Sequence, residues 1–433
     1  MGCLGYLFGD CFKKYNTKNW RRCNHQAQQK IYSQINVNSI DTNINNEDED
    51  SILKEVNSAP QNIMQEISEK NKNKDNTKIS TFEEYQRELS KKNNNYDDKF
   101  LITNSLIGLK NLGNTCYMNS SLQILFHIPE FVELMLDNKD YEYNHIYYIN
   151  QIIHLFVGCY KNNFKSYIDP SSLVNYFKNN HPSFKGYGQK DSEMFLEELL
   201  WEINTELSIM NIERPLEEKK DFYYPEQKEY YNYLKKNEED SNYIMNDLFY
   251  VCFINERKCK NCNKVYFYFD ESVGLKLNFK KISKLQYIDL TQLINENYKL
   301  WNDIKSPDPC ENCGKNKFEL KTRIARLPKI LIIVLQKTNE DETEKIPWIV
   351  NFKNELDLKD IVKDTLIYKK GETLYSIYAI NNHYNMSSRL GHYFSQIYIE
   401  HFKKWFSFND SSVSFDNIPK PTLNNYVLFY KKS

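Results

Sequence analysis

No stretch of this 433-residue chain approaches the roughly 18 consecutive apolar residues that a membrane-spanning helix needs, so no such helix is expected. Its opening, MGCLGYLFGDCF, lacks a basic start and a clear cleavage site, so no secretory signal is expected either. Net charge is nearly absent: 57 basic and 58 acidic residues leave -1 at pH 7. No global field therefore points to nucleic acid, and none is expected as a partner. Internal repeats are also missing. The ten cysteines do not read as a disulfide framework. Four sit in two C-x-x-C pairs and one stands in a setting suited to a nucleophile, which fits a reducing compartment and a cytoplasmic location.

What is present begins with enough apolar residues, 40% of the chain, for one large domain with a tail or for two domains. Residues 1–100 differ from the rest. From about 26 onward they are rich in Asn, Gln, Lys, Asp and Glu with little apolar patterning, and read as a disordered tail with a short helix around Ile52 to Lys72. The first residues carry a candidate acylation site, myristate on Gly2 and palmitate on Cys3, although Tyr6 stands where Ser or Thr is usual. Lys13, Lys14, Lys18, Arg21 and Arg22 would add attraction to anionic lipid. Two such signals hold a protein on a membrane where one does not. The alternative is an unmodified N-terminus.

The most informative stretch is GLKNLGNTCYMNSSLQILF, Gly108 to Phe126. Leu122, Leu125 and Phe126 recur at helical spacing, so a helix should follow Cys116, with Thr115 or Asn114 as its cap. The sulfur of Cys116 then lies at a helix N-terminus, where free N–H groups and the macrodipole favour thiolate. A buried structural cysteine beside a turn is the plain alternative. Asn111, Gly113, Asn114, Thr115, Tyr117 and Asn119 around it make the stretch resemble the cysteine box of the ubiquitin-specific proteases, a family of papain-like deubiquitinating enzymes.

Further motifs carry the same resemblance. FKGYGQKDSEMFLEELLWEI places Phe195, Leu196, Leu199, Leu200 and Ile203 on one helical stripe. It is similar to the family's second signature, which implies that Gln189 and Asp191 face the arginine-bearing tail of ubiquitin. RLPKILIIVLQK, Arg326 to Lys337, is a buried strand by its unbroken β-branched run. GHY at Gly391 to Tyr393 opens another strand and supplies His392, an imidazole able to take or give a proton near neutrality. His383 is its competitor. In the family a second histidine commonly precedes the loop and is not the base, which favours His392. Asn385 and Leu390 stand in this loop where the family often has glycine. WFSFNDSSV supplies the partner for His392: the resemblance implies Asn409, with Asp410 assisting or substituting. For the oxyanion the candidates are the backbone N–H of Cys116 and, by resemblance and position, the Asn111 amide.

Cys259 and Cys262, with Cys310 and Cys313, can give four thiolates to a tetrahedral zinc. The alternatives are plain reduced cysteines or a redox pair, and the redox reading lacks its βαβ context. Between the pairs VYFYFDESVGLKLNF has strand-like alternation. Residues 211–245 read as an inserted surface loop with a helix near Gln227 to Lys236.

The resemblance implies an α+β, papain-like cysteine peptidase over residues 105–432, with thumb, palm and a zinc-tied finger insert at about 246–325. It implies thiol-dependent cleavage at the C-terminal glycine of ubiquitin, structural zinc, no catalytic cofactor, ubiquitin and ubiquitinated proteins as partners, and a monomer. The alternatives are an inactive ubiquitin-binding scaffold and a protease for a ubiquitin-like modifier.

Overall fold

The computed structural model describes residues 97–433 except 139–146, 162–166, 187, 189, 209–220, 238–242, 280–284, 299–300, 338–345, 367–371 and 388–389. The candidate acylation site at Gly2 and Cys3, the helix expected around Ile52, and Gln189 lie outside the described residues.

Helices dominate the first half: α1 (Asp98–Thr103), α2 (Cys116–Phe126), α3 (Pro129–Asp137), α4 (Tyr147–Lys161), α5 (Ser171–Asn180) and α6 (Ser192–Ser208), with a short parallel pair β1 (Gly108–Leu109) and β2 (Tyr167–Ile168) among them. The first helix precedes the expected domain start at 105. Asp97 caps it by accepting from the Phe100 N–H at 2.8 Å, and its Ile102 is fully buried. Every residue of α2 is buried, because the helix lies between α6 and α3 on one side and the strands of the largest sheet on the other. Such a helix needs apolar or self-satisfied side chains all round. Ser120 and Ser121 meet this by bonding back to the Tyr117 carbonyl. The expected stripe of α6, from Phe195 to Ile203, is buried throughout. Pro129 sits in the first turn of α3, where its missing N–H costs nothing.

The insert contains α7 (Pro225–Lys236), close to the expected helix, and α8 (Tyr243–Phe249) leads into the strands. Strand β3 (Tyr250–Cys259) pairs antiparallel with β4 (Val265–Val273) and with β8 (Lys317–Arg326), and β7 (Asn302–Lys305) adds to β8. This four-stranded finger sheet is buried at its base, Tyr250 to Ile254, and again at its tip, Cys259 and Phe318, while most of β4 is only half-buried. Tyr230 and Tyr233 of α7 pack on Phe269 of β4.

The palm is an eight-stranded sheet. Its order is β15 (Ser412–Asp416), β14 (Lys404–Asn409), β13 (Leu390–Ile399), β12 (Leu374–Ser387), β16 (Asn425–Lys432), β9 (Ile330–Gln336) and β5 (Leu275–Asn278), with β11 (Glu355–Asp357) on β12. All pairings are antiparallel except β5 with β9. The apolar run at β9 is buried from Ile330 to Leu335, as its composition requires. Beside the palm, β6 (Gln286–Asp289) pairs parallel with β10 (Trp348–Asn351), and α9 (Leu290–Tyr298) adds Leu293 and Ile294 to the core.

A buried ionic clasp joins the helical half to the palm, besides the Lys431–Glu130 pair at 2.9 Å. Lys276 of β5 lies 2.7 Å from Glu193 and 2.7 Å from Glu197 of α6. Burial, then the neighbouring Glu197, pushes the Glu193 carboxyl up to about 8, and Lys276 is raised because, against the lowering effect of its burial, two carboxylates surround it.

Candidate active site and the four-cysteine cluster

Two segments almost 300 residues apart build the site. The first is the turn before α2. Gly113 and Asn114 both adopt positive φ, 93° and 55°, which turns the chain sharply into Cys116. The Asn111 Oδ1 closes the turn by accepting from the Gly113 N–H at 2.9 Å and the Thr115 N–H at 3.2 Å. Thr115 is the N-cap residue, but its hydroxyl does not cap the helix as expected. It points back into the turn, where it accepts from the Leu112 N–H at 2.9 Å. Cys116 itself is only 2% exposed.

The second segment is the tip of the β14–β15 hairpin. Asp410 has a φ of 48°, a conformation Asp tolerates better than most residues. Its carbonyl accepts from the Leu109 N–H at 2.8 Å. Its carboxylate accepts from the Asn111 amide at 2.8 Å and from the buried Asn119 amide at 2.8 Å. Gly108 permits this plug: a Cβ there would lie 2.4 Å from the Ser411 carbonyl carbon. Asn119 is the residue whose part the sequence reading left unassigned. The available signal was an amide in a helix that, apart from Ser120, Ser121 and Gln123, is apolar, since a buried amide must find partners.

His392 stands between the two segments. Its Nε2 meets the Asn409 Oδ1 at 2.6 Å, and it also hydrogen-bonds Cys116. Asp410 lies 4.0 Å from the same Nε2. The imidazole is pushed up to about 9, first by the bond to Cys116 and then by Asn409, against an opposing effect of burial. A ring that keeps its proton beside a sulfur favours thiolate, and the Asn409 carbonyl fixes which nitrogen faces Cys116. His383 is elsewhere: it is buried and stacked on Tyr393, with ring centres 4.1 Å apart. The structure thus brings together Cys116, His392, Asn409, Asn111 and Asp410.

Asp191 precedes α6 and caps it, accepting from the Glu193 N–H at 2.7 Å and the Met194 N–H at 3.2 Å. Its other oxygen takes the Tyr426 hydroxyl at 2.6 Å. Asp191 therefore caps the helix and holds Tyr426, a contact that was not legible in the sequence.

The model of the ubiquitin carboxyl-terminal hydrolase family matches residues 107–430. The chain belongs to that family. Among curated relatives, ubiquitin carboxyl-terminal hydrolase 2 of Homo sapiens is 27% identical over 339 residues, covering 75% of this chain and 55% of that protein. Ubiquitin carboxyl-terminal hydrolase Usp2 of Drosophila melanogaster is 27% identical over 357 residues, covering 76% and 35%. This member of the ubiquitin carboxyl-terminal hydrolase family thus spans about half the length of the first curated relatives it matches. Its fold is similar to that in the structure of the SAGA Ubp8/Sgf11/Sus1/Sgf73 DUB module bound to ubiquitin aldehyde, with a TM-score of 0.57 and 19% identity, covering 77% of this chain and 70% of that one. The helical half, the palm sheet and the finger sheet are the thumb, palm and finger of this papain-like fold.

At the finger tip Cys259, Cys262, Cys310 and Cys313 hold their sulfurs within 4.8 Å of one another. The β3–β4 turn brings the first pair and the approach to β8 brings the second, both to the same end of the sheet. Cys259 and Cys313 lie 3.6 Å apart and Cys262 and Cys310 3.5 Å apart, too far for disulfides. Sulfurs about 2.3 Å from a tetrahedral metal would be about 3.8 Å apart, so the set fits one metal ion with no open position. Cys252 is buried in the finger base and takes no part.

Proposed function

We propose that this chain is a thiol-dependent deubiquitinase that hydrolyses isopeptide or peptide bonds at the C-terminal glycine of ubiquitin. The observation that carries this is the junction of Cys116 with a His392 whose Nε2 is oriented by the Asn409 Oδ1 at 2.6 Å, in a chain of this family. The thiolate of Cys116 attacks the glycine carbonyl. The Cys116 N–H and the Asn111 amide meet the oxyanion. His392 gives its proton to the departing lysine amine, and with His392 as base water then hydrolyses the thioester. Asp191, with Gln189 near it in sequence, contacts the ubiquitin tail.

The metal at the finger tip is zinc, held by Cys259, Cys262, Cys310 and Cys313. When bound it ties the two turns together and takes no part in the chemistry. The protein works as a cytoplasmic monomer, brought to membranes by acylation of Gly2 and Cys3. A Gly2→Ala variant that partitions as wild type does would remove the acylation reading.

A ubiquitin carrying a C-terminal electrophile tests the central proposal. Wild type should become covalently labelled at Cys116, and Cys116→Ala should bind ubiquitin without labelling. Binding without labelling by wild type would show a scaffold instead. The same electrophile on other ubiquitin-like modifiers tests which modifier the site accepts.

A further inference from the structure

The tip of the finger holds a fifth polar side chain against the sulfurs. The Tyr266 hydroxyl lies 3.3 Å from the Cys310 Sγ. The same oxygen accepts the Glu311 N–H at 3.1 Å. Either atom could donate across that contact in the free thiol, but a Cys310 that binds metal as thiolate has no proton, so the phenol O–H is then the donor and the sulfur accepts. The ring cannot swing away easily. It meets Phe318 edge-on at 6.5 Å, and the Arg257 guanidinium lies over it at 5.2 Å. Arg257 is itself fixed, by its bond to the Ser306 hydroxyl at 2.9 Å and by the rings of Phe318 and Tyr268 at 4.6 and 4.9 Å. The stack Phe318–Arg257–Tyr266 thus presents one hydroxyl to one ligand at the half of the site where Cys310 is buried.

We propose that Tyr266 is a positioning residue of the metal centre: its hydroxyl donates to the Cys310 thiolate and sets how tightly the four cysteines hold their ion. This rests on the reading of the four cysteines as a zinc site. A donor to a metal-bound thiolate offsets part of its charge, fixes the lone pair that faces the metal, and spans the turn through the Glu311 N–H. Cys262 and Cys313 are half-exposed. Release therefore starts from their side, and Tyr266 keeps the last ligand in place for rebinding.

The test uses the full chain, purified with zinc and exchanged with cobalt. Tyr266→Phe keeps the ring, its packing and the Arg257 stack while removing only the hydroxyl. Loss of zinc to a chromogenic chelator should become about 10–100-fold faster or more complete at fixed chelator. The sulfur-to-cobalt charge-transfer band of the cobalt form should shift. Tyr268→Phe, which touches Arg257 but not Cys310, should retain metal as wild type does. A Tyr266→Phe protein that holds zinc as long as wild type and shows an unshifted cobalt band overturns the inference. A wild-type protein that takes up neither metal overturns the four-cysteine reading and this inference with it.

Discussion

Asp410→Ala is the most telling perturbation, because one side chain joins the two halves of the site. The substitution removes two charge-assisted hydrogen bonds, each 2.8 Å long. Their costs differ. The Asn119 amide is buried, and without Asp410 it keeps only the carbonyls of Leu109 and Lys110, both at 3.3 Å. A lost bond of this kind costs about 1.5–3 kcal/mol. Asn111 is exposed, so water replaces its partner at little cost in stability. The expected destabilisation is therefore about 2 kcal/mol, read as a shifted midpoint in urea unfolding with the slope unchanged. The effect on rate comes from the other bond. Losing an oxyanion donor outright costs about 2.7–4 kcal/mol. Here the Asn111 Oδ1 stays tied to the turn, so its amide is loosened rather than lost, and kcat/KM on a fluorogenic ubiquitin C-terminal amide should fall by about 10–50-fold. Asp410→Asn should lie between, since a carboxamide oxygen can serve one amide while its own N–H₂ repels the other. An Asp410→Ala enzyme within twofold of wild type in kcat/KM would refute the reasoning.

The remaining predictions address charge and packing. His392 is raised above its usual 6.5, so its interactions are complete below about pH 6.5 and are lost as pH climbs through about 9. Activity should fall along that limb, and Asn409→Ala should move the limb to lower pH in a pH–rate profile. A Cβ on Gly108 would overlap the hairpin backbone, so Gly108→Ala should cost about 1–3 kcal/mol in chemical denaturation and reduce activity with it. Lys276→Met leaves Glu193 and Glu197 facing each other in the core, at about 3–5 kcal/mol. Because two unpaired buried acids prefer to be protonated, that loss should be larger at pH 8 than at pH 5; an equal loss at both would contradict the clasp.

Elements whose cause is local were legible in the sequence. The spacing of Leu122, Leu125 and Phe126 specifies α2, the stripe from Phe195 to Ile203 specifies α6, and the unbroken apolar run specifies β9. The C-x-x-C spacing announced a four-cysteine cluster, and the family resemblance implied the finger that carries it. What stayed hidden depends on contacts between distant segments. Nothing near Asp410 says that its carboxylate will reach Asn111 and Asn119, and nothing near Gly108 says that a hairpin tip will rest on its Cα. Thr115 shows the same limit at short range. Residue type marks a cap, but Asn111 and the Leu112 N–H compete for the hydroxyl and win. Asp191 followed the local rule as a cap, while its bond to Tyr426 joins residues far apart in the chain.

The finger sheet is secured like a span resting on two piers, the palm core under Tyr250 to Ile254 and the sulfur cluster beyond Phe318, with half-wet strands between. Removing one pier does not collapse the other. Stripping the tip should therefore let amide protons exchange first near Cys259 and progressively later toward Tyr250, while those of β9 and β16 keep their wild-type lifetimes.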